Sequence, residues 1–246
     1  MKIGVKTFGD ENLLNYFKDK SDFFEIMALQ KNDYSFLKKF SLPIVIHAEH
    51  NNFGVNPADI SKREFNVKSL NFARKIADMT NSKKIIVHPG LLEKGNNNCS
   101  LNNSINFFRE IDDDRILIEN LPKIYDGGLH FLCYSPEKSK EFIEATNKKF
   151  CFDVNHHLCN FNKSNYNYNF IKKYIKLNPL HYHIGGQRIE ERKDHLCLAD
   201  SMLNLRKILS YYPNNAEITL ETEVDFEKID NDLKIIRNVI SELKSN

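Results

Sequence analysis

The sequence lacks long hydrophobic runs, paired cysteine motifs and a large excess of one charge. No apolar run approaches the ~18 residues that a membrane span needs, and the opening segment MKIGVKTFGD has no secretory apolar core. The five cysteines are odd in number and form no CxxC pair, which is typical of reduced thiols in the cytoplasm. We therefore expect a soluble cytoplasmic protein without a membrane partner.

The balance of charges argues against a protein that binds its partner through a strongly basic face. The chain has 35 Lys and Arg against 33 Asp and Glu residues, a formal net charge of +2. This balance argues against a protein whose affinity comes mainly from a strongly basic face. The hydrophobic content of 41%, with 18 Phe and 10 Tyr, is sufficient for a sizeable core.

Short apolar runs alternate with helical patterns along the whole chain. The predicted strands cover residues 3–7, 23–28, 43–46, 85–87, 116–118, 150–152, 180–184 and 218–220. Most of these runs are continuously apolar, which favours a parallel sheet covered on both sides. A glycine-rich phosphate loop is missing after the first run, which disfavours a doubly wound sheet. The pattern predicts an α/β fold, a (β/α)8 TIM barrel formed as a single domain over residues 1–246.

The segments between the strands are predicted as helices and polar loops. Helical spacing of apolar residues occurs around 13–17, 34–40, 67–77, 105–108, 170–175, 202–212 and 226–243, and Ser135 before Pro136 marks a further helix start. Polar loops are expected near Gly54, around Gly127 and Gly128, and from Gly185 to Asp200. In a barrel these loops would cover the rim and determine specificity.

Six consecutive predicted strands, the third to the eighth, each run into a residue of metal-ligand type. These residues are His47, His88, Glu119, Asp153, His183 and Glu221. In a barrel all of them converge on the C-terminal rim, where active sites lie. A single residue of this kind is more often structural, but six at the same position of the repeat indicate a site. The types suit zinc, manganese or magnesium.

Further histidines accompany this set. His156 follows Asp153 by three residues, and His195 lies in the loop after the seventh strand. His181 and His183 share a face because side chains alternate along a strand, and His183 is the expected ligand since it lies nearer the strand end. Loop or surface positions are expected for His50, His130 and His157.

These segments resemble the xylose isomerase-like TIM barrel superfamily, which includes endonuclease IV (AP endonuclease family 2) and many sugar and sugar-phosphate isomerases and epimerases. The matching segments are Ile46-His47-Ala48, Val87-His88-Pro89-Gly90, Leu117-Ile118-Glu119-Asn120, Cys151-Phe152-Asp153-Val154-Asn155-His156, His181-Tyr182-His183-Ile184, Asp194-His195-Leu196 and Leu220-Glu221-Thr222. They extend from the third strand to the eighth. The resemblance implies the barrel fold and a metal-dependent enzyme.

The isomerase and epimerase branch implies one divalent metal and a sugar or sugar-phosphate substrate. The metal would be held by Glu119, Asp153, His183 and Glu221. The two glutamates would also be catalytic, because they move protons to and from an enediolate. His156 would contact the substrate.

The endonuclease IV branch implies three zinc ions and cleavage of DNA at abasic sites. The additional ligands are His47, His88, His156 and His195. Three departures from that pattern are Lys193 where an aspartate is expected, His50 where an aromatic is expected, and Gly185-Gly186 where Asn-Asp is expected. The first two departures point to a smaller substrate, although a single-metal isomerase has no evident use for the extra histidines.

The sequence therefore predicts a divalent-metal-dependent isomerase or epimerase, with one to three ions bound depending on the branch. The alternative is a zinc-dependent phosphoesterase of endonuclease IV type, and only this alternative has DNA as a partner. A metal-binding barrel without surviving activity is a third interpretation, because a fold alone does not determine chemistry.

Overall fold

Eight parallel strands close into a barrel in which each strand pairs with its neighbours in sequence and the last pairs with the first. A computed structural model describes residues 1–125, 129–161, 167–191 and 193–245. The barrel strands are β1 Lys2–Thr7, β2 Phe23–Ala28, β3 Ile44–Ala48, β4 Ile85–Val87, β5 Ile116–Glu119, β6 Lys149–Asp153, β7 His181–Ile184 and β8 Glu217–Leu220. The predicted (β/α)8 barrel is confirmed.

Helices surround the barrel and bury their apolar faces against the strands. The α-helices are α1 Glu11–Phe17, α2 Arg63–Met79, α3 Leu101–Arg109, α4 Pro136–Thr146, α5 Val154–Leu158, α6 Phe170–Ile175, α7 Leu205–Leu209 and α8 Phe226–Lys244. Short 3-10 helices cover Ser35–Lys39, Asn51–Phe53, Ile60–Lys62, Ile189–Glu191 and Leu198–Asp200. Ser135 caps α4 as predicted, since its side chain accepts a hydrogen bond from the Lys138 N–H.

The barrel interior is polar at the C-terminal ends of the strands and apolar one layer further inside. A separate buried cluster consists of Phe23, Val45, Ile86, Leu117 and Cys151. Four of these residues lie two positions before a predicted ligand, so the strand period of two directs both members of each pair to the inner face. The apolar cluster therefore forms the layer directly beneath the polar residues of the C-terminal rim.

Two segments predicted as loops contain strands. The segment 185–200 forms an antiparallel hairpin from Gly186–Arg188 and Lys193–Leu196. The segment after β5 contributes Ile124–Tyr125 and Leu129–Phe131, which pair with each other, and the second pairs with Leu91–Leu92. Gly127 and Gly128 of that predicted loop lie outside the described residues. These strands were missed because they pair with one another outside the barrel.

No described helix combines the length and the apolar character that a bilayer crossing needs. All five cysteines are free thiols, as predicted.

Candidate metal centre

The six strand-end residues converge at the C-terminal rim of the barrel. Each lies at or near the end of its strand on the inner face, and all except the half-buried His88 are buried. The residues are His47, His88, Glu119, Asp153, His183 and Glu221. The sequence prediction placed these side chains together, and their geometry determines what they can bind.

Glu119 lies at the centre of this set, and its two carboxylate oxygens face different partners. Oε2 lies 3.2 Å from Nε2 of His47 and 3.2 Å from Nε2 of His88. Oε1 lies 3.1 Å from Nδ1 of His183 and 3.2 Å from Nδ1 of His156. One carboxylate thus joins two sets of nitrogen atoms.

The ligand atoms form two groups that share this carboxylate. Within each group, the atoms lie within 4.8 Å of one another. The smaller group is His47, His88 and Glu119, and the larger is Glu119, Asp153, His183 and Glu221. Imidazole nitrogen and carboxylate oxygen are the donors that zinc and manganese accept in proteins.

Asp153 divides its two oxygens between a helix cap and the rim. Oδ1 accepts a hydrogen bond of 2.8 Å from the His156 N–H at the start of α5. Oδ2 is buried and has no hydrogen-bond partner among the described residues, and the same is true of Nδ1 of His88. The D-x-x-H spacing is therefore a capped turn and also leaves a carboxylate oxygen for a cation. Unpartnered buried polar atoms beside carboxylates and imidazoles fit a divalent ion.

Two asparagine side chains hold the strand ends that carry these residues. The Asn120 side chain pairs with the Asp153 backbone in both directions, with N···O distances of 2.7 and 2.8 Å. The Asn155 side chain pairs with Gly185 in the same way, at 2.8 and 3.0 Å. Each amide extends the ladder of hydrogen bonds between strands beyond the last strand residue. Neither was predicted, because an asparagine after a strand is also typical of a turn.

The charges at the rim partly balance one another. Burial alone would raise the pKa of Glu119, but His183 and His88 outweigh it and hold this pKa well below its usual range. Burial would lower the pKa of His156, but Asp153 and Glu119 raise it to about 10. Burial raises the pKa of Asp153, so this carboxylate is the one whose charge the surrounding side chains compensate least.

His47 and His88 keep a nitrogen lone pair available. The Nδ1 atom of His47 lies 2.9 Å from the Ala48 carbonyl, so it carries the proton and leaves Nε2 facing Glu119. Burial lowers the pKa of His88 to about 4, which keeps its ring neutral near pH 7. Neutral imidazole is the form that binds metals.

Lys6 and Glu25 belong to the site although the sequence did not place them there. Nζ of Lys6 lies 3.3 Å from Oε1 of Glu25 and is hydrogen-bonded to Oε1 of Glu221. Glu25 is fully buried and also accepts hydrogen bonds from His183, His181 and Thr219. A glutamate inside an otherwise apolar strand was the available signal, since such a charge is buried only with partners.

His195 lies beside the site and contributes to neither group of ligand atoms. Its Nδ1 atom lies 3.2 Å from the Glu221 carbonyl, its side chain is 43% exposed, and its φ of 53° is left-handed. Lys193 points outward to Glu191, and Asp194 lines the cavity. The predicted ligand role of His195 stays a prediction.

The prediction for His157 was wrong. Its side chain is buried in α5, and its ring packs against Phe161, Phe170 and Tyr174. The Tyr174 hydroxyl lies 3.0 Å from its Nδ1 atom. The α5 turn that directs His156 to the rim directs its neighbour into the core.

A cavity of about 200 Å³ opens above the two groups. Its lining includes Lys6, His47, His88, His156 and Glu221. His50 also lines it and stacks on His88 with ring centroids 4.6 Å apart. A small molecule, or one flipped-out unit of a larger one, has direct access to the candidate ligands.

Solved structures share this fold over nearly the whole chain. A "D-tagatose 3-epimerase-like protein" aligns with a TM-score of 0.74 and 21% identity over 98% of this chain and 99% of that one. Endonuclease IV from Thermus thermophilus aligns with a TM-score of 0.72 and 16% identity, covering 98% and 100%. A xylose isomerase domain protein from Planctomyces limnophilus aligns at 0.74 and 14%, covering 100% and 98%.

The fold predicted from the resemblance is confirmed by these structures. No protein-family model matches the chain, and no curated protein matches its sequence. Identities of 14 to 21% show a common fold, so the activity has to be argued from the rim itself.

Proposed function

We propose that the protein is a divalent-metal-dependent phosphoesterase that holds two ions bridged by Glu119. The observation that carries this proposal is the division of the Glu119 oxygens between two ligand groups. Two-metal sites are typical of phosphatases and nucleases and also occur in aminopeptidases. This geometry reverses the order of the two functions favoured by the sequence.

The side chains would act as follows. His47 and His88 with Oε2 of Glu119 would hold one ion, and the larger group would hold the other. The bound ions would activate water for attack and neutralise charge on the phosphoryl group. His156 keeps its Nδ1 proton on the Asn120 carbonyl at 2.9 Å, which fixes its ring in the cavity wall.

The shared fold supports the proposal, since endonuclease IV has the same barrel. Phosphoesters as a class include both abasic DNA and small phosphate esters. The net charge of +2 favours a small ester over a long duplex.

A single-metal isomerase or epimerase is the second candidate. The larger group is complete without His47 and His88, and it contains both glutamates, Glu119 and Glu221, that would transfer the proton. The fold is also that of an epimerase-like protein. In this case the smaller group would have no ion.

Metal content and reaction products test the proposal together. Protein purified without chelators should contain two zinc or manganese ions per chain by mass spectrometry and should hydrolyse bis(p-nitrophenyl) phosphate or an abasic oligonucleotide. One ion per chain, with deuterium entering a keto sugar from heavy water and no ester cleavage, would replace the phosphoesterase by the isomerase.

A single variant separates the two candidates further. His47→Gln removes a ligand of the smaller group only. A phosphoesterase should lose one ion and about 100-fold or more in rate, whereas a single-metal isomerase should keep its ion. His130→Gln, at an exposed histidine outside the cavity lining, is the matched control.

A further inference from the structure

Lys6 is a lysine on the inner face of a barrel strand. It lies in β1 directly opposite Glu25 of β2, and its side chain is only 15% exposed. Lysine is seldom buried unless it is paired. Here the pairing is with two carboxylates, Glu25 and Glu221.

The two carboxylates leave part of the ammonium group available. An ammonium group has three N–H donors. One is hydrogen-bonded to Glu221, whereas Oε1 of Glu25 is an ion-pair contact at 3.3 Å without a hydrogen bond. The side chain lines the cavity together with His88 and His156. Among the described residues that line this cavity, Lys6 is the one lysine or arginine.

The ammonium also lies next to the larger ligand group. Glu221 contacts Lys6 and belongs to the larger ligand group, so a single carboxylate separates the two cationic positions. A molecule in the cavity that reaches this group would meet the ammonium on one side and the ligand groups on the other. Such a position suits an anionic oxygen.

We propose that Lys6 binds a phosphoryl oxygen of the substrate in the cavity above Glu221. This inference rests on the proposed phosphoesterase for its substrate class, and it adds the residue that recognises the anion. Glu25 and Glu221 orient the ammonium, so little side-chain freedom is lost on binding. The ligand chemistry is that of a phosphate monoester or diester.

Inorganic phosphate is the probe for this proposal. Binding to the zinc-loaded full chain is measured by calorimetry for the wild type, Lys6→Met, Lys6→Arg and Lys193→Met. Lys6→Met should weaken phosphate binding by about 10- to 100-fold, the effect of one charged hydrogen bond, with an unchanged ion count. Lys6→Arg should retain most of the affinity. Lys193→Met, at an exposed lysine on the rim hairpin, should bind as the wild type.

The outcomes distinguish this role from the alternatives. Equal phosphate affinity in wild type and Lys6→Met overturns the proposal, as does a wild type that binds no phosphate. Loss of an ion in Lys6→Met also overturns it, because Lys6 would then act on the metal through Glu221. Lys6→Gln, which leaves Glu25 and its contact with His183 unchanged, repeats the test if Lys6→Met does not fold.

The same data separate this inference from the proposed function. Lys6-dependent phosphate binding without ester hydrolysis would refute the phosphoesterase and keep Lys6 as an anion site. Ester hydrolysis with phosphate binding independent of Lys6 would keep the phosphoesterase and refute Lys6 as the anion site.

Discussion

The Nε2 atom of His183 lies 3.0 Å from Oε2 of Glu25, on the side of the ring opposite Glu119 and Glu221. Both residues are fully buried. The contact keeps a proton on Nε2, so Nδ1 is the nitrogen that would bind a cation at the larger ligand group. Glu25 is thus a positioning residue for a candidate metal ligand.

This relationship gives a prediction for Glu25→Gln. Removing the carboxylate weakens the orientation of His183, and zinc affinity at the larger group should fall by about 10- to 100-fold. Competition with a chromophoric chelator measures the affinity. Glu217→Gln is the control, because Glu217 lies at the start of β8 and pairs with Lys2 and Lys84. Equal zinc affinity in all three proteins would contradict the role given to Glu25.

Glu119→Gln should remove more metal than any other single change at the rim. Its carboxylate belongs to both ligand groups, whereas His88 belongs to one. We expect the zinc content to fall by two ions per chain in Glu119→Gln and by one in His88→Gln, measured by mass spectrometry after gel filtration. If the two variants lost the same number of ions, Glu119 would not bridge the groups.

Gly185→Ala should displace the backbone of the candidate ligand Glu221. A Cβ at Gly185 would overlap the carbonyl oxygen of Glu221, so the backbone that carries this candidate ligand must move. Overpacking of this kind costs about 1 to 3 kcal/mol, and both Tm and zinc affinity should fall. Gly95→Asn is the control for zinc affinity, because a Cβ at Gly95 meets no atom within 4 Å and asparagine is among the residues least strained at its φ of 82°. Unchanged zinc affinity in Gly185→Ala would show that Glu221 is not held at this contact.

Asp232→Asn should change how stability depends on pH. Asp232 is fully buried in α8, its Oδ1 accepts from the Leu198 N–H at 2.8 Å, and burial raises its pKa to about 6. An unfolded aspartate has a pKa of about 4. Between pH 4 and 6 the folded chain therefore binds more protons than the unfolded chain. The free energy of unfolding falls as the pH rises through 6.

The asparagine keeps the acceptor for Leu198 and avoids the buried charge. The variant should therefore exceed the wild type in free energy of unfolding at pH 8, by up to about 3 kcal/mol, and by less at pH 5. Urea unfolding with a chelator present at both pH values measures the difference. A constant difference across this range would mean that Asp232 does not titrate as described.

The rim was predictable because two regularities coincide there. Continuous apolar strands end in polar ligands, and in a barrel the same ends of all strands meet. Asp153 illustrates this, since the pattern around residues 150–156 predicts its position at a strand end, and closure of the barrel brings it into one ligand group with Glu119.

The contacts of Lys6 and Glu25 could not be predicted from the pattern of strands and strand ends. Their contact depends on the register of β1 against β2, and the contact of Lys6 with Glu221 depends on closure of β1 against β8. Pairing between the two ends of the chain is a property of the closed barrel and has no local signal. The strands after β5 and β7 were missed for a related reason, because their pairing partners lie outside the barrel.

Because Glu119 belongs to both ligand groups, two ions held there would be coupled thermodynamically. If binding of one ion changes the affinity for the other by some factor, binding of the other changes the affinity for the first by the same factor. A change confined to His47 or His88 therefore alters the affinity measured at the larger group as well. Titration curves for this protein should be read as those of one coupled pair, with ligand substitutions changing both steps.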